Sequence, residues 1–104
     1  MEQTSLTDLL AEFNRKRGWT EYHSPKNLAM AIATEAGELL GEFRWLTEDE
    51  SLEAVVPCDL RDRVETEVAD VTIFLLLLAD CLSIDIDEAV RTKVRSNDRR
   101  FPLT

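Results

Sequence analysis

The chain has 104 residues, of which 44% are hydrophobic, with only three glycines and three prolines and a formal net charge of −9. That composition excludes intrinsic disorder, and the length suits a single domain over residues 1–104, small enough to gain from oligomerisation. The charge excludes unassisted binding to nucleic acid or to an anionic membrane surface. The leading Met-Glu-Gln-Thr-Ser lacks the basic and apolar regions of a signal peptide. The apolar run Val71–Ala79 is far shorter than the roughly 20 residues needed to span a bilayer. Cys58 and Cys81 have no metal-type spacing and read as reduced packing residues, so a soluble cytoplasmic protein is expected.

Four helices are expected, and no alternation of polar and apolar residues marks a strand. The first runs from Leu6 to Arg17, with Leu6, Leu9, Leu10 and Phe13 on one face. Ser5 and Asp8 have the spacing of an N-terminal cap, and Gly18 closes the helix. After a loop over Gly18–Ser24, Ser24-Pro25 opens the second helix with a capping hydroxyl and a proline whose missing N–H does no harm. This helix is expected to reach Leu46. The connection Thr47–Asp59 is acidic, contains Pro57, and should hold a short helical turn around Ser51–Ala54. The third helix begins near Asp59 and ends at Cys81 or Leu82. Because Val71–Leu78 is apolar nearly all round, that helix should be central and also shared with a second subunit. The fourth begins at the capping pair Asp85 and Glu88 and runs through Lys93, Val94 and Asn97 toward Arg100, with Pro102 at its end.

The two middle helices contain an anomaly. Leu28, Ile32, Ala36, Leu39, Phe43 and Leu46 form the apolar stripe of the second, yet Glu35 falls inside it. Glu38 follows at i+3 and Glu42 at i+7, both near it on the helix surface. The third helix repeats the pattern, with Glu67 between Val64 and Val71 and Asp70 at i+3. Acid pairs of this spacing usually lie on a solvated face. Two such pairs, each led by an acid with apolar neighbours at i−3 and i+4, instead favour a desolvated cluster, which unpaired carboxylates do not tolerate. A divalent cation held by oxygen ligands makes it tolerable. The candidate ligands are Glu35, Glu38, Glu67 and Asp70, with Glu42 a possible fifth. All-oxygen ligation suits Mg²⁺, with Mn²⁺ the next choice, and does not suit zinc. A di-iron bundle needs Glu-x-x-His motifs, and the only histidine, His23, follows no such spacing.

Other residues gain meaning only in company. Lys93, Asn97 and Arg100 fall at i, i+4 and i+7, a cationic edge that is ordinary surface alone but a phosphate clamp beside a carboxylate–metal cluster. Trp19 and Trp45 can stack on a base or serve a core or interface. His23 can donate to a ligand or be merely structural.

Taken together, Trp19, His23-Ser-Pro-Lys-Asn-Leu28, Glu35-Ala-Gly-Glu38, Phe43-Arg-Trp45, Glu67-Val-Ala-Asp70, Lys93, Asn97 and Arg100-Phe-Pro102 resemble the MazG-like all-α nucleotide pyrophosphohydrolases. The similarity runs from about Trp19 to Pro102 and is strongest to the dCTP pyrophosphatase-like branch. It implies an all-α, four-helix-bundle-type fold with a helical subunit interface. It implies Glu35, Glu38, Glu67 and Asp70 as Mg²⁺ ligands, and Trp19, His23, Trp45, Lys93, Asn97 and Arg100 as nucleotide contacts. It also implies a homo-oligomer, commonly a dimer of dimers, with sites built between subunits. Many relatives have a double acid where this chain has Thr34-Glu35, which leaves Glu35 or Glu38 as the catalytic base. Phe74 stands where dCTP-type enzymes tend to have tyrosine. The expected activity is Mg²⁺-dependent hydrolysis of a nucleoside triphosphate, such as dCTP, to monophosphate and pyrophosphate. The alternatives are dUTP or a phosphoribosyl-ATP-like substrate on the same fold, or a non-enzymatic helical adaptor.

Overall fold

A computed structural model describes residues 5–53 and 55–103 of the chain. Its helix starts follow the capping signals. The Ser5 hydroxyl accepts from the Asp8 N–H at 3.1 Å and opens α1 (Leu6–Lys16). Gly18, with φ of +67°, takes the chain out of α1 through the left-handed region. A single 3₁₀ turn (Thr20–Tyr22) follows where the sequence pattern marks only a loop, because three residues are too few to display a period. The Ser24 hydroxyl then accepts from the Asn27 N–H at 3.1 Å and starts α2 (Pro25–Phe43). The Asn27 side-chain amide donates to the Tyr22 carbonyl at 2.9 Å, fastening the turn to the helix.

α2 stops three residues short of the expected Leu46, and the reason is local. The Thr47 N–H donates to Glu50 Oε1 at 2.8 Å, and the Glu50 N–H donates to Thr47 Oγ1 at 3.2 Å. This reciprocal box satisfies the backbone of the next element, a 3₁₀ turn (Asp49–Ser51), and competes with continuation of α2. The turn thus starts two residues before the expected Ser51–Ala54 and shares Ser51 with it, while Ala54 lies outside the described residues. α3 (Cys58–Cys81) starts directly after Pro57. α4 (Ile86–Arg100) starts where Asp85 Oδ1 accepts from the Glu88 N–H at 3.1 Å.

Among the described residues there are four α-helices and no strand, the all-α class that the sequence indicates. α2 and α3 pack along most of their length, and α1 lies against α3. Among the described residues, Leu28 is fully buried and Leu60 and Ala79 are the other buried apolar residues of this arrangement. α4 has no packing partner of comparable extent, and Val90, Val94 and Phe101 stay exposed. The accessible surface is 8595 Å², against about 6,000 Å² for a compact monomer of this mass. The radius of gyration is 17.0 Å, against about 13 Å for a compact chain of this length. No helix among the described residues is long and apolar enough to cross a membrane.

A Cβ added at Gly18 would meet nothing within 4 Å, so the effect of a substitution there comes from the backbone alone. Gly18→Ala is expected to lower stability by about 1 kcal/mol, read from thermal unfolding, and Gly18→Asn by less, because asparagine tolerates the left-handed region.

Candidate metal centre

The side-by-side packing of α2 and α3 brings together the acids that interrupt their apolar stripes. Glu35, Glu38 and Glu67 each offer a carboxylate oxygen, and these three atoms lie within 4.8 Å of one another. Glu35 and Glu67 are half-buried, whereas Glu38 is exposed at the mouth of the cluster. Oε2 of Glu35 and Oε2 of Glu67 are buried with no hydrogen-bond partner. Buried acceptors are otherwise nearly always satisfied, so two such oxygens in one cluster need an explanation.

The electrostatics point the same way. Burial first, and then the closeness of Glu38 and the charges of Asp70 and Glu67, push the Glu35 carboxyl up from 4.5 to about 7. Glu67 is also raised, chiefly by burial and then by repulsion from Glu38 and Asp70. Asp70 is half-buried and contributes charge to both neighbours, although it stands outside the tight trio. The donor set is all oxygen, acceptor-only when ionised, and short of positive charge. A hard divalent cation such as Mg²⁺ or Mn²⁺ fits it on each count.

Glu42, the possible fifth ligand, is otherwise engaged. Arg63 Nε donates to Glu42 Oε2 at 2.9 Å, and the Glu42 side chain is only 21% exposed. Arg63 also reaches Asp59 at 3.5 Å. The Glu42–Arg63 pair ties α2 to α3 one turn from Glu38 on the first helix and one turn from Glu67 on the second. Sequence reasoning passed over Arg63, because a partner on another helix leaves no trace in the spacing along its own.

The remaining site residues are not gathered into this cluster. Trp19 is 47% exposed and stands edge-on to Phe13, with ring centroids 5.8 Å apart. The Arg17 guanidinium lies 3.6 Å from the Phe13 ring centroid and 6.0 Å from that of Trp19, so it sits near both rings of that small aromatic group. His23 is half-buried, and its carbonyl accepts from the Cys81 thiol at 3.4 Å. Trp45 follows the end of α2 with 86% of its surface in solvent. Lys93, Asn97 and Arg100 stay with α4, which has no extensive packing on α2 or α3 within one chain. Asn97 is half-buried, and Arg100 lies 5.2 Å from the Phe101 ring centroid.

Two outcomes follow. An acid with a raised folded-state pKa binds more protons folded than unfolded, so its favourable contribution is complete below about 4.5 and is lost as pH rises through about 7. Metal-free protein is therefore expected to melt at a higher temperature at pH 5 than at pH 8. Glu35→Gln should flatten that trend, and saturating Mg²⁺ should reverse it. Arg63→Ala leaves Glu42 half-buried without its partner, so it is expected to lower the melting temperature. Glu42→Leu in the same chain should restore most of the loss.

Similarity to known proteins places the chain in a family. A MazG-like family model matches residues 30–104. The chain is 36% identical over 95 residues to dCTP pyrophosphatase 1 of Mus musculus and 37% identical over 94 residues to that of Homo sapiens. Those alignments cover 91% and 90% of this chain, which spans 56% and 55% of the length of the two relatives. A crystal structure of a pyrophosphatase from Archaeoglobus fulgidus superposes with a TM-score of 0.87 at 40% identity, over 99% of both chains. With the family model over most of its length, and this identity to curated relatives, the chain belongs to the MazG-like family.

Proposed function

We propose that the protein is a Mg²⁺-dependent nucleoside triphosphate pyrophosphohydrolase, with dCTP as the first candidate substrate. The observation that carries this is the pair of buried, unpartnered carboxylate oxygens of Glu35 and Glu67 inside a cluster of like charges. Similarity to proteins named dCTP pyrophosphatase and pyrophosphatase supports the substrate class.

Glu35, Glu38, Glu67 and Asp70 would hold the cation. When bound, Mg²⁺ supplies positive charge that neutralises the triphosphate oxygens and polarises the attacking water, with Mn²⁺ able to do the same. Glu35 or Glu38 orients that water and accepts its proton. The water oxygen bonds to the α-phosphorus while the bond from that phosphorus to the bridging oxygen breaks, and pyrophosphate departs with the bond's electrons. Lys93, Asn97 and Arg100 bind the phosphate oxygens, and Lys93 and Arg100 stabilise charge on the leaving group. Trp19, His23 and Trp45 contact the nucleoside.

α4 does not pack on the cluster within one chain, so this reading requires copies of the chain to complete each site. A homo-oligomer, a dimer of dimers by the family likeness, is supported by the surplus of exposed surface. That surplus, about 2,500 Å² over a compact monomer, is of the size that obligate interfaces bury. A cytoplasmic setting accords with Cys58 and Cys81, both free thiols.

Glu38→Gln and Asp70→Asn are each expected to abolish pyrophosphate release from dCTP with Mg²⁺ while leaving the far-ultraviolet helical signal unchanged. Full activity in either variant would remove that residue from the reaction. Sedimentation velocity is expected to find a species several times the 11.9 kDa chain mass, and a monomer that turns over dCTP would contradict assembly of the site.

A further inference from the structure

The sequence leaves base preference open, and the acid cluster bears only on phosphate and metal. A cleft of about 340 Å³ lies elsewhere, between α1, the first 3₁₀ turn, the start of α2 and the end of α3. Asn14, Thr20, His23, Leu28, Leu77 and Asp80 are among its lining residues. Leu28 lies seven residues before Glu35 on α2, and Leu77 lies seven after Asp70 on α3. Seven residues are two helical turns, about 10 Å, and return each side chain to the same helix face. The cleft is thus displaced from the acid cluster along one α2–α3 groove, by a distance comparable to the reach of a nucleoside from its phosphate.

Its chemistry is unusual for a helix-packing gap. Asn14 is the one buried polar residue among those described, with only 6% of its surface exposed. Its carbonyl accepts from the N–H groups of Arg17 and Trp19 at 3.2 and 3.0 Å, which fixes the end of α1. Its side-chain amide makes no hydrogen bond to the described residues, although it is not sealed from solvent. An amide placed at a cleft without a partner among the described residues presents a donor and an acceptor in one plane. Asp80 lines the same cleft, has no ion-pair partner among the described residues, and is acceptor-only when ionised. Leu28 and Leu77 supply apolar surface for the faces of a ring.

We propose that this cleft reads the base, with Asn14 and Asp80 as specificity-determining residues that select a pyrimidine bearing an exocyclic amino group. The proposal rests on the nucleotide reading of the acid cluster. The Asn14 amide can accept from the amino group and donate to the adjacent ring nitrogen, as asparagine does with an amino-bearing base edge. The Asp80 carboxylate also accepts from the amino group but repels the carbonyl oxygen that uracil and thymine carry in its place. Cytosine is the pyrimidine that satisfies both.

Two measurements on the full chain test this. In the first, pyrophosphate release with Mg²⁺ is compared for dCTP, dUTP and dTTP. Wild type is expected to favour dCTP by roughly tenfold or more in kcat/KM, and Asn14→Leu and Asp80→Asn to remove most of that preference. Asp80 is exposed, so the second variant remains informative if the first does not fold. In the second, 2′-deoxycytidine and 2′-deoxyuridine, which lack phosphate, are titrated without metal and followed by tryptophan fluorescence. Wild type is expected to bind deoxycytidine more tightly, and Asp80→Asn to equalise the two. A protein that cleaves dCTP but keeps its substrate order in both variants would overturn the base-reading cleft and leave the activity standing. A protein that discriminates the nucleosides through these residues but cleaves no triphosphate would overturn the activity and retain the cleft.

Discussion

The structure depends on an electrostatic conflict between its two longest helices. α2 and α3 pack through apolar stripes, and each stripe is interrupted by a carboxylate directed at the other. Desolvation and like-charge repulsion both oppose that arrangement. What favours it within one chain is the apolar contact to either side and the Glu42–Arg63 pair beside the cluster. Local features that disagree with the rest of a fold usually mark function, because nothing else maintains them. Here the feature lacks positive charge, which is what a divalent cation would supply.

The same chain that concentrates negative charge leaves its cationic helix unengaged. α4 carries Lys93, Arg100 and an apolar face at Val90 and Val94, yet it stands away from the α2–α3 pair. The large accessible surface and radius of gyration express the same fact in bulk terms. Assembly and catalysis are therefore linked in this account. In the proposed assembly, association would bury the exposed apolar faces, and it would also bring the cationic edge of α4 to the acids.

Sequence reasoning reached what is encoded locally or as a contradiction. Ser5, Ser24 and Asp85 were legible as caps because a cap and the N–H that it accepts from lie within three residues. Glu35 and Glu67 stood out because an acid inside a helical stripe contradicts the pattern around it. The end of α2 departs from the apolar period, which continues to Leu46, because Thr47 and Glu50 capture the backbone for a different turn. Glu42 sat at the edge of the stripe, and its partner Arg63 is 21 positions away, a pairing that only the register of α2 on α3 decides. Asn14 was invisible for a related reason, since its burial comes from packing between elements and from nothing in α1 itself. The amphipathic pattern of α4 announced a face to be covered without saying what covers it.

The most direct test of the central claim is a crystal of the protein grown or soaked with Mn²⁺ and examined by anomalous diffraction. The account predicts a manganese peak between α2 and α3, bonded to oxygens of Glu35, Glu38 and Glu67 with Asp70 in or beside its coordination sphere. An acid cluster that stays free of manganese at saturating concentration, or manganese bound only elsewhere on the molecule, would contradict it.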